Sequence, residues 1–114
     1  MPFNATYAID TPTRTEVDAL AGFTLVEFGT AWCGHCQAVQ PHLAAAMNEQ
    51  EIRHLKIEDG PGRPLGRSFR VKLWPTLILL HQGEELARLV RPTNAQAIRE
   101  ALRLASSSDS DDMA

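Results

Sequence analysis

Trp32-Cys33-Gly34-His35-Cys36 holds the only two cysteines of the chain, three positions apart. Two thiols one helical turn apart can join and separate reversibly, which is the requirement for thiol-disulfide exchange. Exchange needs thiolate, and an ordinary cysteine of pKa near 8.5 is only about 3% ionised at pH 7. A helix amino terminus corrects this through its unpaired N–H groups and roughly half a unit of positive dipole charge. After Cys33 the pattern is helical: Cys36, Val39, Leu43 and Met47 recur at spacings of three and four. Cys33 therefore opens a helix and Cys36 falls on its apolar face. That asymmetry makes Cys33 the nucleophile toward a substrate disulfide and Cys36 the thiol that resolves the mixed disulfide. Gly34 keeps the loop between them uncrowded. His35 adds a second potentially cationic group beside the Cys33 sulfur, which favours the dithiol and makes the pair a stronger oxidant.

Glu27 is the odd residue of a nearly continuous apolar run, 23–28. A carboxylate buried there must be paired or pushed toward its neutral form, and a proton acceptor beside Cys36 suits the resolving step. The competing reading is an edge glutamate that reaches solvent. His35 and His42 near the thiols raise zinc, since thiolate and imidazole form a normal ligand set. His42, however, projects about 120° around the helix from Cys36, so no metal site is expected. His81 reads as a solvated hairpin edge. Arg63, Arg67, Arg70 and Lys72, with Arg91, read either as a basic rim that attracts acidic partners or as a solvated helix and loop. Trp32 and Trp74 either stand exposed beside the cysteines, where aromatics bind polypeptide, or pack in the core.

These residues depend on elements whose signals are local. Residues 1–12 carry little pattern, with a short edge strand available at 7–9. Thr13 and Glu16 form a capping-box pattern for a helix to about Leu20. A buried strand over 23–28 precedes the Cys33 helix, which reaches about Glu49 with a kink at Pro41. Residues 52–57 form a second strand, parallel to the first by a right-handed crossover. Asp59-Gly60-Pro61-Gly62 is a loop before a short helix at 64–69. Strands 76–80 and 86–90 pair through a turn at Gln82-Gly83. Pro92 stops the last strand, and Thr93 with Gln96 caps a final helix whose Ala95, Ile98, Leu102 and Ala105 face the sheet. The result is an α/β domain over 1–105: a central mixed sheet of four to five strands flanked by helices. Serine and aspartate over 106–114 predict a disordered acidic tail.

One domain fits 114 residues of which 44% are apolar. The formal charge of -3 is supplied entirely by Asp109, Asp111 and Asp112 of the tail, leaving 1–105 neutral. That balance points to neither nucleic acid nor an anionic membrane as partner. No stretch approaches the roughly 18 apolar residues of a membrane span, and the first twenty lack a cationic start followed by an apolar run. A soluble, cytoplasmic chain is expected, and without a secretory signal the Asn4-Ala5-Thr6 sequon reads as chance. Two close cysteines are too few to staple a secreted scaffold. The absence of heptads predicts a monomer.

Together the residues resemble the thioredoxin family over roughly 20–105. Leu25-Val26-Glu27-Phe28, then Trp32-Cys33-Gly34-His35-Cys36, Pro41, Trp74-Pro75-Thr76 and Gly83-Glu84 stand in family order. The resemblance implies a cis Pro75 facing the cysteines, with Trp74-Pro75-Thr76 as a clamp whose Trp74 backbone pairs with an extended substrate strand. Trp32, Gly34 and Arg91 would complete the substrate surface. It also implies disulfide-containing protein substrates, a thiol or reductase as electron donor, and no cofactor beyond the Cys33–Cys36 disulfide. Several positions depart from the pattern. Gly-His between the cysteines is similar to protein disulfide isomerases rather than to the Gly-Pro of reducing thioredoxins. His54 stands where many members have a lysine beside the buried acid, and that acid is usually aspartate. Gly29 replaces an aromatic, Arg91-Pro92 occupies a glycine-containing stretch, and Trp74 replaces a small aliphatic residue. Two functions remain open: an oxidoreductase acting on protein disulfides, and a redox-sensing or chaperone-like module that binds polypeptide in the same groove with little turnover.

Overall fold

A computed structural model describes residues 3–113, with side chains over 3–105. Thr13 opens α1 (Arg14–Asp18) with both halves of the capping box formed: Glu16 N–H donates to Thr13 Oγ1 at 3.1 Å, and Thr13 N–H donates to Glu16 Oε1 at 2.8 Å. The chain continues through β1 (Phe23–Gly29), α2 (Gly34–Met47), β2 (Arg53–Glu58), α3 (Pro64–Ser68), β3 (Thr76–His81), β4 (Glu84–Val90) and α4 (Ala95–Met113). The strand order is β2-β1-β3-β4; β1 is parallel to β2 and antiparallel to β3, and β4 is antiparallel to β3. The hairpin turn places Gln82 and Gly83 both at positive φ, the geometry that matches strand twist in two-residue loops.

Two local expectations change. The edge strand at 7–9 does not form: Ala8 N–H donates to Lys56 O at 2.9 Å, but Asn4 and Thr6 give their N–H groups to side chains, so no ladder develops. The first turn of α4 is capped by Asn94, whose Oδ1 accepts from Ala97 N–H at 2.9 Å, because Gln96 turns its amide to Glu100 instead of reaching back to Thr93. The expected disordered tail, 106–114, falls on residues whose side chains lie outside the described set. Their backbone continues α4 to Met113, with neither Gly nor Pro from 106 to 113 to stop it.

Strand alternation sends residues to two cores. Leu25, Leu77 and Leu79 meet Val39, Leu43 and Met47 of α2 and Ile98 and Leu102 of α4 on one face. Val26, Phe28, Ile78 and Leu80 meet Val17, Leu65 and Phe69 on the other. Since β1 is covered on both faces, its apolar run is continuous. Glu27 shares the Leu25 face, directed at α2, and is completely buried. Among the described residues no helix is long and apolar enough to cross a membrane.

A candidate dithiol active site

Cys33 is the N-cap of α2, as the helical pattern requires, and its Sγ accepts from Cys36 N–H at 3.2 Å. A sulfur in that place takes the role that a Ser or Asp oxygen plays at other helix starts, where an anion is favoured. Cys36, 1% exposed, lies beneath it, and the two thiols are free. Its thiol is pushed up to about 12: burial acts first, then the hydrogen bond with Cys33, and the charges of Cys33 and Glu27 add to it, while the Thr30 backbone bond opposes. One sulfur is set to attack and the other is held as a thiol until a base is available.

Gly29 closes β1 directly against that thiol: a Cβ there would lie 2.5 Å from Cys36 Sγ. The aromatic that Gly29 replaces relative to the family pattern would have no room here unless the sulfur moved. Tyr7 comes from the N-terminal segment instead, its Oη 3.4 Å from the same point. Its phenol is raised well above the ordinary range by burial and then by the charges of Glu27 and the two thiols.

Glu27 is not an edge residue. Its Oε1 accepts from His54 Nε2 at 2.9 Å and its Oε2 from Gln40 Nε2 at 2.8 Å. Asn4 N–H donates to His54 Nδ1 at 2.8 Å; a backbone amide can only donate, so the ring proton sits on Nε2 and points at Glu27. His54 thus serves the carboxylate as a neutral donor in the place where the family commonly has a lysine. Gln40 also donates to Cys36 O at 2.9 Å and accepts from Lys56 Nζ at 2.7 Å, which fixes its amide orientation. Lys56, nearly buried, is held further by Ala5 O at 3.2 Å and lies over the Tyr7 ring. Gln40, Lys56 and Tyr7 are not among the site residues read from the sequence, where Asn4 figures only in the sequon. Only Gln40 left a signal, being a polar residue four positions after Cys36 and so on the same helical face.

No hydrogen bond joins Glu27 to the Cys36 sulfur among the described residues. A cleft of about 380 Å³ reaches this region, lined by Tyr7, Thr30, Cys36, Gln40 and Lys56 among others. Thr30 Oγ1 is buried there and has no partner among the described residues.

The Trp74-Pro75 bond is cis. Trp32, 74% exposed, meets Trp74 edge to face at 5.7 Å, which joins the cysteine loop to the proline loop and rules out core packing for Trp32. Trp74 is half-buried, its Nε1 donating to Asp59 Oδ2 at 2.9 Å. Thr76 departs from the clamp expected of it. It is 1% exposed and its hydroxyl donates to Leu73 O at 2.6 Å, so it braces the loop from within. A Cβ at Gly34 would meet nothing within 4 Å, so the glycine relieves no crowding inside the chain and instead leaves the solvent side of the loop clear. His35 is exposed, and its ring bonds neither sulfur among the described residues. His42 stands near it, with no group of three metal-ligating side chains among the described residues. Arg91 Nε donates to Trp74 O at 2.8 Å, occupying one lone pair of the carbonyl a substrate strand would use.

Fold and site define a dithiol protein equipped for thiol-disulfide exchange. The chain belongs to the thioredoxin family, whose family model, Thioredoxin, matches residues 9–104. It is similar to the structure of thioredoxin 2 from Pseudomonas aeruginosa PAO1 in its reduced form, with 54% identity and a TM-score of 0.82 over 93% of this chain and 99% of that one. Protein disulfide-isomerase A2 of Pongo abelii is 37% identical over 86 residues, and protein disulfide isomerase-like 1-4 of Arabidopsis thaliana 38% identical over 65. Those alignments cover 69% and 54% of this chain, which spans only 16% and 11% of the two isomerases.

Proposed function

We propose that this chain is a thiol-disulfide oxidoreductase that reduces disulfides in protein partners. The observation that carries this is the unequal pair: Cys33 at the helix N-cap, accepting an N–H bond at 3.2 Å, over a Cys36 thiol raised to about 12. The Cys33 thiolate attacks one sulfur of the partner disulfide and expels the other as a thiolate, which takes a proton. Cys36 then loses its proton and attacks Cys33 Sγ, releasing the partner's second thiolate and forming the Cys33–Cys36 disulfide. The partner gains two electrons and the site loses two. Glu27 receives the Cys36 proton through a water: Cys36 lines the cleft with Thr30, Gln40 and Lys56, whose polar atoms can hold the water, and Gln40 in turn donates to Glu27 Oε2 at 2.8 Å. A thiol or a reductase returns the electrons, so the redox-active disulfide is the only cofactor required.

The working compartment we assign is the cytoplasm, because both cysteines are committed to exchange and none remains to staple the fold. We place the protein there as a monomer. Nothing in the geometry favours a binding module without turnover.

Reduction of a protein disulfide with a dithiol donor tests the assignment. Catalysis well above the donor's own rate is expected, and a rate no faster than the donor alone refutes it. The potential tests His35 separately. His35→Pro keeps the helix start, since proline is accepted in the first turn, but removes the imidazole that favours the dithiol. The site should become more reducing by tens of mV, about 30 mV for each 1.4 kcal/mol of lost preference. An unchanged or higher potential removes His35 from the mechanism.

A further inference from the structure

Trp74 lies between two cationic notches. At its carbonyl, Arg91 donates from Nε at 2.8 Å, and Arg91 N–H donates to Pro75 O at 3.0 Å. These bonds seat the guanidinium beside the proline loop, and its terminal amino groups remain for a carboxylate. Arg91 there lines a notch of about 120 Å³ with His35 and His42 of α2. At the indole end, where Nε1 bonds Asp59, a second notch of about 330 Å³ holds Arg63, Arg67 and Lys72.

Glu58 pairs with Arg63 at 3.3 Å, while Asp59, which accepts from the neutral Trp74 indole, keeps its charge in the second notch against Arg67 and Lys72, so that the notch retains an excess of positive charge. Arg67, Lys72 and Arg91 make no ion pair among the described residues, although the chain as a whole carries a charge of -3. Arg91 also holds φ at 53°, a region unfavourable for a residue with a side chain. Such a conformation persists where the surroundings over-determine it, as these two bonds do, and it is found where a loop is shaped for function. Between the notches the surface is aromatic and apolar, with Trp32 and Leu73 exposed.

We propose that this face selects disulfide partners by charge: it takes an extended acidic polypeptide whose cysteine lies over Trp74-Pro75 and whose acidic side chains enter the notches at Arg91 and at Arg67 and Lys72. The inference rests on the exchange reaction at Cys33 and adds the class of substrate. An aromatic centre next to a reactive sulfur favours polypeptide, and the flanking charges steer its approach and fix its register.

The test measures the rate at which the reduced protein reacts with three disulfide-linked peptides identical except for Glu, Gln or Lys on both sides of the cysteine. At low ionic strength the Glu peptide should react roughly tenfold faster than the Lys peptide, and added salt should compress the ratio toward one. Arg91→Gln and Lys72→Gln should each lower the ratio about two- to threefold; exposed Lys72 makes no bond to the proline loop, so its variant guards against a disturbed loop. Equal rates for the three peptides, or a ratio untouched by both variants, overturn the charge selection while the Gln peptide still reports exchange. No reaction with any peptide overturns the exchange reaction, and this inference with it.

Discussion

Cys33→Ser abolishes turnover of protein disulfides, whereas Cys36→Ser still attacks and then stops with its partner attached. The loss in the first variant is on the order of a thousandfold or more, the scale expected when the nucleophile of a covalent mechanism is removed. A serine hydroxyl at the N-cap preserves the helix start, since serine is a preferred cap. The fold therefore survives and only the chemistry disappears. In the second variant the cap and the attacking sulfur are intact, but no thiol lies beneath to release the mixed disulfide. The covalent adduct should accumulate to near one equivalent and be discharged by added dithiol, as read by intact-protein mass. If Cys36→Ser turned over protein disulfides at the native rate, or Cys33→Ser formed the adduct equally well, the assignment of roles would be wrong.

Glu27→Gln should slow resolution by about a hundredfold and leave the first attack nearly unchanged. Cys36 is held as a thiol by its burial and raised to about 12, so near neutral pH it needs a base to react. Without the carboxylate, resolution must wait for hydroxide or solvent to remove the proton. Its rate should then climb with pH through the alkaline range and level off below about 12, because the Glu27 charge and the Cys33 interactions that help to raise Cys36 are missing from the variant's mixed disulfide, whereas the native protein is expected to resolve near neutrality. The substitution also has a structural cost with a separate signature. Both oxygens of Glu27 accept, from His54 and from Gln40. A glutamine offers one oxygen and one NH2, so one buried donor faces another, at about 1–3 kcal/mol of stability. Chemical denaturation reads that loss, and rapid-mixing kinetics at matched pH reads the two steps. Equal slowing of attack and resolution would eliminate the proton-transfer role.

The two sulfurs, the buried acid and the order of elements could be read from the chain because each is signalled by a local regularity. The face of α2 repeats at three and four residues, so Cys36 was assigned to the interior beneath Cys33, where it is found. The capping box at Thr13 is likewise a short-range code. The same code misled at α4, where Thr93 and Gln96 fit the pattern equally well but Asn94 supplies the bond.

What surrounds the acid was not legible, because it is assembled across long stretches of chain. Gln40 meets Glu27 over 13 positions, His54 over 27, and Asn4 meets His54 over 50. No periodicity couples such residues. Their encounter depends on β2 lying beside β1 and on the N-terminal segment lying along β2. For the same reason the sequence pointed to an aromatic missing at Gly29 but gave no hint that Tyr7 would come to that point from 22 positions upstream. Thr76 and Arg91 show the limit for the partner surface. The family resemblance put both on the substrate surface, yet only the packed loop turned the Thr76 hydroxyl inward and laid the Arg91 guanidinium on the Trp74 carbonyl.

The chain by itself determined which atoms react, since a helix start with thiols one turn apart needs only a dozen contiguous residues to specify it. Tertiary structure alone decided which groups serve those atoms and which charges face a partner. Hydrogen bonds and electrostatic fields depend on distances in space, and those distances exist only once strands and helices from separate parts of the chain have packed together.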